Sequence, residues 1–461
     1  MLLGALLFVT PLFEVPKHLL WLGWVIAWLI ARTPRALVAP RWSAVEWALG
    51  IYAASALCAG LLGGAWRASL PGAGDTVRIA LTALLLARGG YTPAQLLVVL
   101  GAAVAGTLVA LADGALTLLT VSRSGYLELR SVGHVNHSAI YLGITLTLAV
   151  GLALATRRSA RNLHIAALVA SLLLGVSLFV AASRAALGAA VVFLGLLAWA
   201  DPLRAATLRA RRNFRLALAG ALVMAALGYG LTVWLSPRPL QPTGDGLVER
   251  FDSPRRAGSG VLAYRDKLWR VAVLAFLSEP VFGIGNDRFR TLTPEGLCPR
   301  TTGDPRPAEG LALVPGVPSA ASSVAGPSSA FSPRNLLPDP CDTAQLHFQP
   351  HAHSLYANTL AERGLSGLAA TLALLGLWAR TLWRGLRGVG VGVDARRTAV
   401  WCASLGAWCL SALAGLLNTT MHHEHGLLAM AMLGMLLALE RPASNGPPVA
   451  AARPAVYPSP P

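Results

Sequence analysis

Arginines and histidines in this chain are gathered where chemistry is possible, in and around one long polar stretch. Arg265 and Arg270 lie in Tyr264-Arg265-Asp266-Lys267-Leu268-Trp269-Arg270, and His351 and His353 lie in His351-Ala352-His353-Ser354-Leu355-Tyr356. A third arginine, Arg184, stands alone between two apolar runs, and His422-His423-Glu424-His425 forms a separate cluster. A guanidinium keeps its charge at any accessible pH and grips phosphate oxygens as a two-pronged fork. An imidazole accepts a proton near neutrality, as a general base must. Arginines converging with a histidine on one cavity suit a reaction in which a pyrophosphate departs.

Each residue also has a plainer reading. Arg184 can snorkel from an apolar span to the interface, and Arg270 fits a solvated helix face. Composition leaves Arg265 open. His351 and His353 suit the capped start of a helix; being two apart, they would point about 200° apart on it, so only one would face a given cavity. His422 and His425 have metal-ligand types, but the spacing is not the zinc-protease pattern of histidines four apart around a Glu. The expectation here is no metal and no cofactor. Gly283-Ile284-Gly285 follows a proline and not a strand, so a dinucleotide reading fails on context. Walker, nucleophile-elbow and sugar-nucleotide signatures are missing.

The elements that position these residues follow from composition. Of 461 residues, 55% are hydrophobic and 13% charged, about half the charge of a soluble domain. An all-α polytopic membrane protein is expected. Apolar runs at 2–13, 17–31, 45–62, 76–90, 94–118, 136–156, 163–182, 185–200, 216–235, 354–379, 398–418 and 425–440 predict about twelve spans. The organisation is then helices over 1–235, a large loop over 236–353, further helices over 354–440 and an unfolded tail over 441–461 (Arg441-Pro442-Ala443-Ser444 onward). The apolar start (Met1 to Phe13) lacks a basic n-region and cleavage site, so it reads as a retained segment.

Net charge is +17, yet the arginines come in short blocks between apolar runs, which is a topology signal and not a nucleic-acid surface. Blocks around Arg32–Arg41, Arg157–Arg161, Arg204–Arg215 and Arg380–Arg397 put alternate loops and both termini in the cytoplasm. The large loop, with Arg130, Arg184 and the histidine cluster, then faces outward. In an oxidising compartment Cys298 and Cys341 would pair, closing the Pro-rich insert Gly303 to Pro340. Cys58, Cys402 and Cys409 sit in apolar runs and read as packing residues. Arg265 to Leu277 has helical apolar spacing and predicts an amphipathic helix on the membrane surface or capping the bundle. With no repeat and no inverted pair of interrupted helices in view, a transporter is disfavoured.

In order and spacing these pieces resemble the bacterial O-antigen ligase and O-antigen polymerase superfamily, within it most closely the ligases. The matching residues are Ser183-Arg184-Ala185, Arg265 to Trp269, Pro280 to Gly285, and His353-Ser354-Leu355-Tyr356 with Glu362, Gly364 and Gly367. Weaker likeness surrounds Gly133-His134-Val135-Asn136-His137, and Ser354 departs from the Asn that many members carry. The resemblance implies a GT-C-like fold in the bacterial inner membrane with its active site on the periplasmic side. The activity it implies is metal- and ATP-independent inverting glycosyl transfer. An undecaprenyl-pyrophosphate-linked O-antigen would be the donor and lipid A–core oligosaccharide the acceptor. Arg184 and Arg265 would stabilise the pyrophosphate and His353 would serve the acceptor hydroxyl. His351, Arg270, Arg130, His137 and Tyr264 form a second set of substrate-binding candidates. A polymerase, a protein O-oligosaccharyltransferase, or (in another class) an anion transporter stays open.

Overall fold

A computed structural model describes residues 1–31, 42–63, 66–120, 127–157, 160–181, 183–200, 265–297, 346–386 and 394–441, with Gly220, Val223 and Leu227. The span expected at 216–235 falls outside them but for those three positions. Tyr264, Cys298, Cys341, the insert Gly303 to Pro340 and the tail after Arg441 also lie outside the described residues. Within them the chain is helical, and its one β-feature is an isolated bridge between Leu129 and Gly133.

The helices are α1 (Leu2–Val9), α2 (Glu14–Ala31), α3 (Ala44–Leu62), α4 (Trp66–Arg88), α5 (Pro93–Thr120), α6 (Val135–Thr156), α7 (Arg161–Val180) and α8 (Arg184–Ala200). They continue with α9 (Arg265–Ser278), the short α10 (Pro294–Leu297), α11 (Leu355–Gly385), α12 (Ala395–Ala412) and α13 (His423–Glu440). Seven of these, α3 to α7, α11 and α12 with the turn after it, are long and apolar enough to cross a membrane.

The expected all-α membrane architecture is met, and seven of the expected spans stand among the described helices. Eight residues of α1 rise roughly 12 Å, well short of a hydrocarbon core of about 30 Å; α1 instead packs on α2 and α5. Glu14, Lys17 and His18 bring polar groups into the first turn of α2, and α8 has only 17 residues. α13 carries His423, Glu424 and His425 in its first turn. By contrast α4 begins ten residues before the expected 76. Pro71 lies inside the helix, and the small Gly72 beside it lies flush against Asn286 and Asp287.

α6 and α12 form the centre, each with 83% of its apolar window buried, against 39% for the peripheral α7. They approach closely through small residues, as membrane helices do: a Cβ on Gly143 would stand 2.8 Å from Leu410, and one on Gly151 2.7 Å from the Ala399 carbonyl. α13 lies alongside, against α4, α12 and α6. Buried charges fix its two ends. Near its start Glu424 pairs with Lys17 of α2, whose side chain is 1% exposed. Just past its end Arg441 meets Glu46 of α3, which also accepts from Arg88 Nε of α4 at 2.8 Å.

One long helix is broken. Within α11, Gly364 has φ 61° and ψ −160°, a region essentially reserved for glycine. The break frees backbone groups that an apolar bundle cannot leave unpaired. Pro280 to Gly285 supplies the partners: Ile284 and Gly285 N–H donate to the Ala361 and Glu362 carbonyls at 3.0 Å. Leu365 and Ser366 N–H donate to the Pro280 and Val281 carbonyls at 2.9 and 3.2 Å. Two sequence pieces eighty residues apart thus make one unit.

Replacing Gly364 by Ala must strain the backbone and drive a Cβ to 2.5 Å from the Val281 carbonyl carbon. We expect Gly364→Ala to cost ~2 kcal/mol or more, read as a lower melting temperature of the purified protein. Gly376→Ala on the same helix, with nothing within 4 Å of the added methyl, should be neutral or slightly stabilising.

Candidate functional site

α9 forms because Leu268, Val271, Ala272 and Ala275 line one face at helical spacing, and that face is buried. It packs against α11, sharing a small core with Ile284, Phe289 and Ala352. The helix expected at 265–277 is present with one apolar face buried. Arg265 stands at its first residue, half-buried, where Nε donates to the Leu417 carbonyl at 2.9 Å.

That carbonyl belongs to a tight turn at the end of α12, the 3-10 helix Ala414–Leu416 and the residues after it. The same turn receives the histidine segment. Leu355 N–H donates to the Asn418 carbonyl at 3.0 Å, Ser354 Oγ contacts the Gly415 carbonyl at 3.4 Å, and Tyr356 Oη donates to the Ala412 carbonyl at 2.8 Å. α8, whose first residue is Arg184, packs on this turn as well. Arg184 is half-buried next to Ser183, whose buried hydroxyl has no partner. Residues 184, 265 and 353 are thus borne by three elements that meet on one turn. No motif in the sequence had singled that turn out.

His351 and His353 precede α11 and are not on it. The helix begins at Leu355 with Ser354 as its N-cap, Oγ accepting from the Ala357 N–H at 3.4 Å. The 200° helical argument therefore does not apply. Instead His353 takes φ 47°, and its neighbour's backbone is held by the Asn358 side chain, which accepts from the Ala352 N–H at 3.1 Å. The two rings part company. Charge on Arg265 acts on His353, whereas His351 lies 5.5 Å from His422 and 6.1 Å from His137, centre to centre.

Burial, reinforced by the Arg265 and His351 charges, pushes His353 down to about 4. Burial does the same to His351, helped by His423 and Arg290. Both imidazoles are neutral at physiological pH and able to accept a proton. Among the remaining candidates, His137 of α6 joins His351 at the histidine cluster. Arg270 is exposed on α9, and Arg130 is exposed in the turn before α6. Among the described residues Cys58 and Cys409 are free thiols.

Glu362 was quoted in the sequence without a role. Its buried carboxylate accepts from the Phe289 N–H at 3.1 Å, fixing the loop after Gly285. Asn286 in that loop reaches the Ala56 carbonyl of α3 at 2.7 Å, and Arg363 donates to Thr76 of α4 at 2.5 Å. These residues hold the site's frame. Only a single Glu and a Gly-rich run hinted at it.

No protein-family model matches this chain, and no curated protein does either.

Since burial lowers His353, the folded chain binds its proton less readily than the unfolded chain, whose imidazole titrates near 6.5. Stability from this group therefore rises with pH between about 4 and 6.5. We expect His353 to titrate near pH 4. Histidine-labelled NMR, assigned with His353→Gln, checks it; a midpoint at 6.5 would mean the ring is open to water.

Proposed function

We propose that the chain is a lipid-pyrophosphate-dependent glycosyltransferase of the O-antigen ligase kind. It moves O-antigen polysaccharide from undecaprenyl pyrophosphate to a sugar hydroxyl of lipid A–core oligosaccharide. The observation that carries the reading is the meeting of the Arg184, Arg265 and His353 elements on the turn after α12. These residues were matched to the superfamily's motifs from sequence alone, and they are separated by up to 170 positions. The frame of Pro280–Gly285 against Glu362–Gly364 unites two further matched pieces.

In this reading both termini are cytoplasmic, the large loop of 236–353 is periplasmic, and the protein sits in a bacterial inner membrane. The acceptor hydroxyl attacks the anomeric carbon of the donor from the face opposite the phosphate. The glycosidic C–O bond to phosphate breaks, and undecaprenyl pyrophosphate leaves with the electron pair. His353, neutral and buried, takes the hydroxyl proton. Arg184 and Arg265 offset the charge growing on the pyrophosphate, an effect that is strong where water is scarce. The phosphate-linked donor itself supplies the driving force, so no ATP is required. His353 is favoured over His351 as the base because Arg265 acts on it directly, while His351 turns to the other histidines.

Arg184→Ala, Arg265→Ala and His353→Ala are each expected to cut transfer by ~10²-fold or more, with the protein still present in the membrane. Arg→Lys at 184 or 265 should also be poor, because a point charge lacks the fork. The assay is complementation of a deletion strain, scored on lipopolysaccharide gels. Full polysaccharide ladders from all three alanine variants would refute the site. Long polymer left on its carrier in the deletion strain marks a ligase; core bearing at most one repeat marks a polymerase. Movement of labelled anion in proteoliposomes without glycan transfer would mark a transporter.

A further inference from the structure

Five histidines from three separate segments are packed at one end of the bundle. His137 belongs to the first turn of α6, His351 to the segment before α11, and His422, His423 and His425 to the start of α13. Three of them form a nearly equilateral triangle: ring centres are 4.8 Å apart for His137–His422, 5.1 Å for His137–His425 and 4.8 Å for His422–His425. His425 is 1% exposed, and among the described residues neither of its ring nitrogens has a well-aligned hydrogen-bond partner. Nε2 of His422 is likewise buried and unpaired. Orphaned buried nitrogens on adjacent rings are costly, and three rings with no carboxylate between them gain nothing from each other.

From this geometry we propose that His137, His422 and His425 are the ligands of a borderline divalent cation, zinc foremost, with His351 placed to complete the coordination. Neutral imidazole is the ligand such ions select. Nitrogens ~2.0–2.1 Å from a zinc ion place neighbouring ring centres roughly 5 Å apart, the spacing found here. As the rings stand, the donor atoms do not converge into a formed site. Turning them inward costs His425 at most its contact with the Thr419 backbone.

The surroundings fit such a site. Lys17 neutralises Glu424, the carboxylate between the ligands in sequence, and so removes it as a competing ligand. Asp75 of α4 accepts from the His423 N–H at 3.1 Å and holds the approach to the first turn of α13. The ion would clamp α6 to α13 and fasten the segment leading to His353. This role is structural and lies beside the transfer chemistry, so it stands whether or not the proposed activity does.

The test uses the full chain without a polyhistidine tag, purified in lipid nanodiscs, stripped with chelator and titrated with Co²⁺. One Co²⁺ per chain, with visible absorption of tetrahedral nitrogen ligation and displacement by Zn²⁺, is expected. His422→Gln and His425→Gln should each weaken uptake by at least ~10-fold, while His423→Ala should not. On the unmodified chain, Zn²⁺ should protect the partly exposed His137 and His351 from diethyl pyrocarbonate but leave His18 and His164 reactive. That arm does not depend on any variant folding. No uptake by the unmodified chain, uptake unchanged in both Gln variants, or protection by inorganic phosphate in place of Zn²⁺ would each overturn the site.

Discussion

A break in a helix inside an apolar bundle is the constraint on which the rest of this structure depends. At Gly364 the chain leaves helical geometry, and in a low-dielectric interior every freed N–H and C=O must find a partner. The segment Pro280 to Gly285 meets that demand with four backbone hydrogen bonds. It can do so only because Gly283 and Gly285 also take positive φ and present no side chain; a Cβ at 283 would run into the Glu362 backbone. Once this segment is anchored, α9 before it and the Asn286–Phe289 loop after it have fixed positions. The carboxylate of Glu362, two residues before the break, then secures that loop.

From the anchored segment the geometry passes to the turn after α12. Its carbonyls at Ala412, Gly415, Leu417 and Asn418 have no helical partners ahead of them. They take hydrogen bonds from Tyr356, Ser354, Arg265 and Leu355. The end of one central helix therefore orients the His353 segment and Arg265 together. α8, which begins at Arg184, packs against the same turn. The assembly rests on helix ends.

Charges within the bundle follow the same economy. Lys17 with Glu424 and Arg88 with Glu46 are enclosed pairs, and the partly exposed Arg441 joins Glu46, so that α13 is held at both ends. Such pairs gain little net stability over apolar packing, but a lone member is heavily penalised. They act mainly as registration devices, setting how far α13 slides along α2, α3 and α4. The histidines at the start of α13 inherit their position from the Lys17–Glu424 contact.

Much was legible from residue order alone. Hydropathy located most of the long helices, the break between α7 and α8 at Arg184, and α9 with its apolar face. Types and spacing drew attention to Arg184, Arg265, His351 and His353. α1, α2, α8 and α13 stand where spans were expected but are shorter or more polar at one end than the seven long apolar helices, and α4 starts ten residues ahead of its expected span. The meeting of residues on the α12 turn, the separate destinations of His351 and His353, and the gathering of five histidines are long-range facts. They depend on which backbone groups are left unpaired when helices end or break. That is decided by packing in three dimensions, and no local pattern in the chain encodes it.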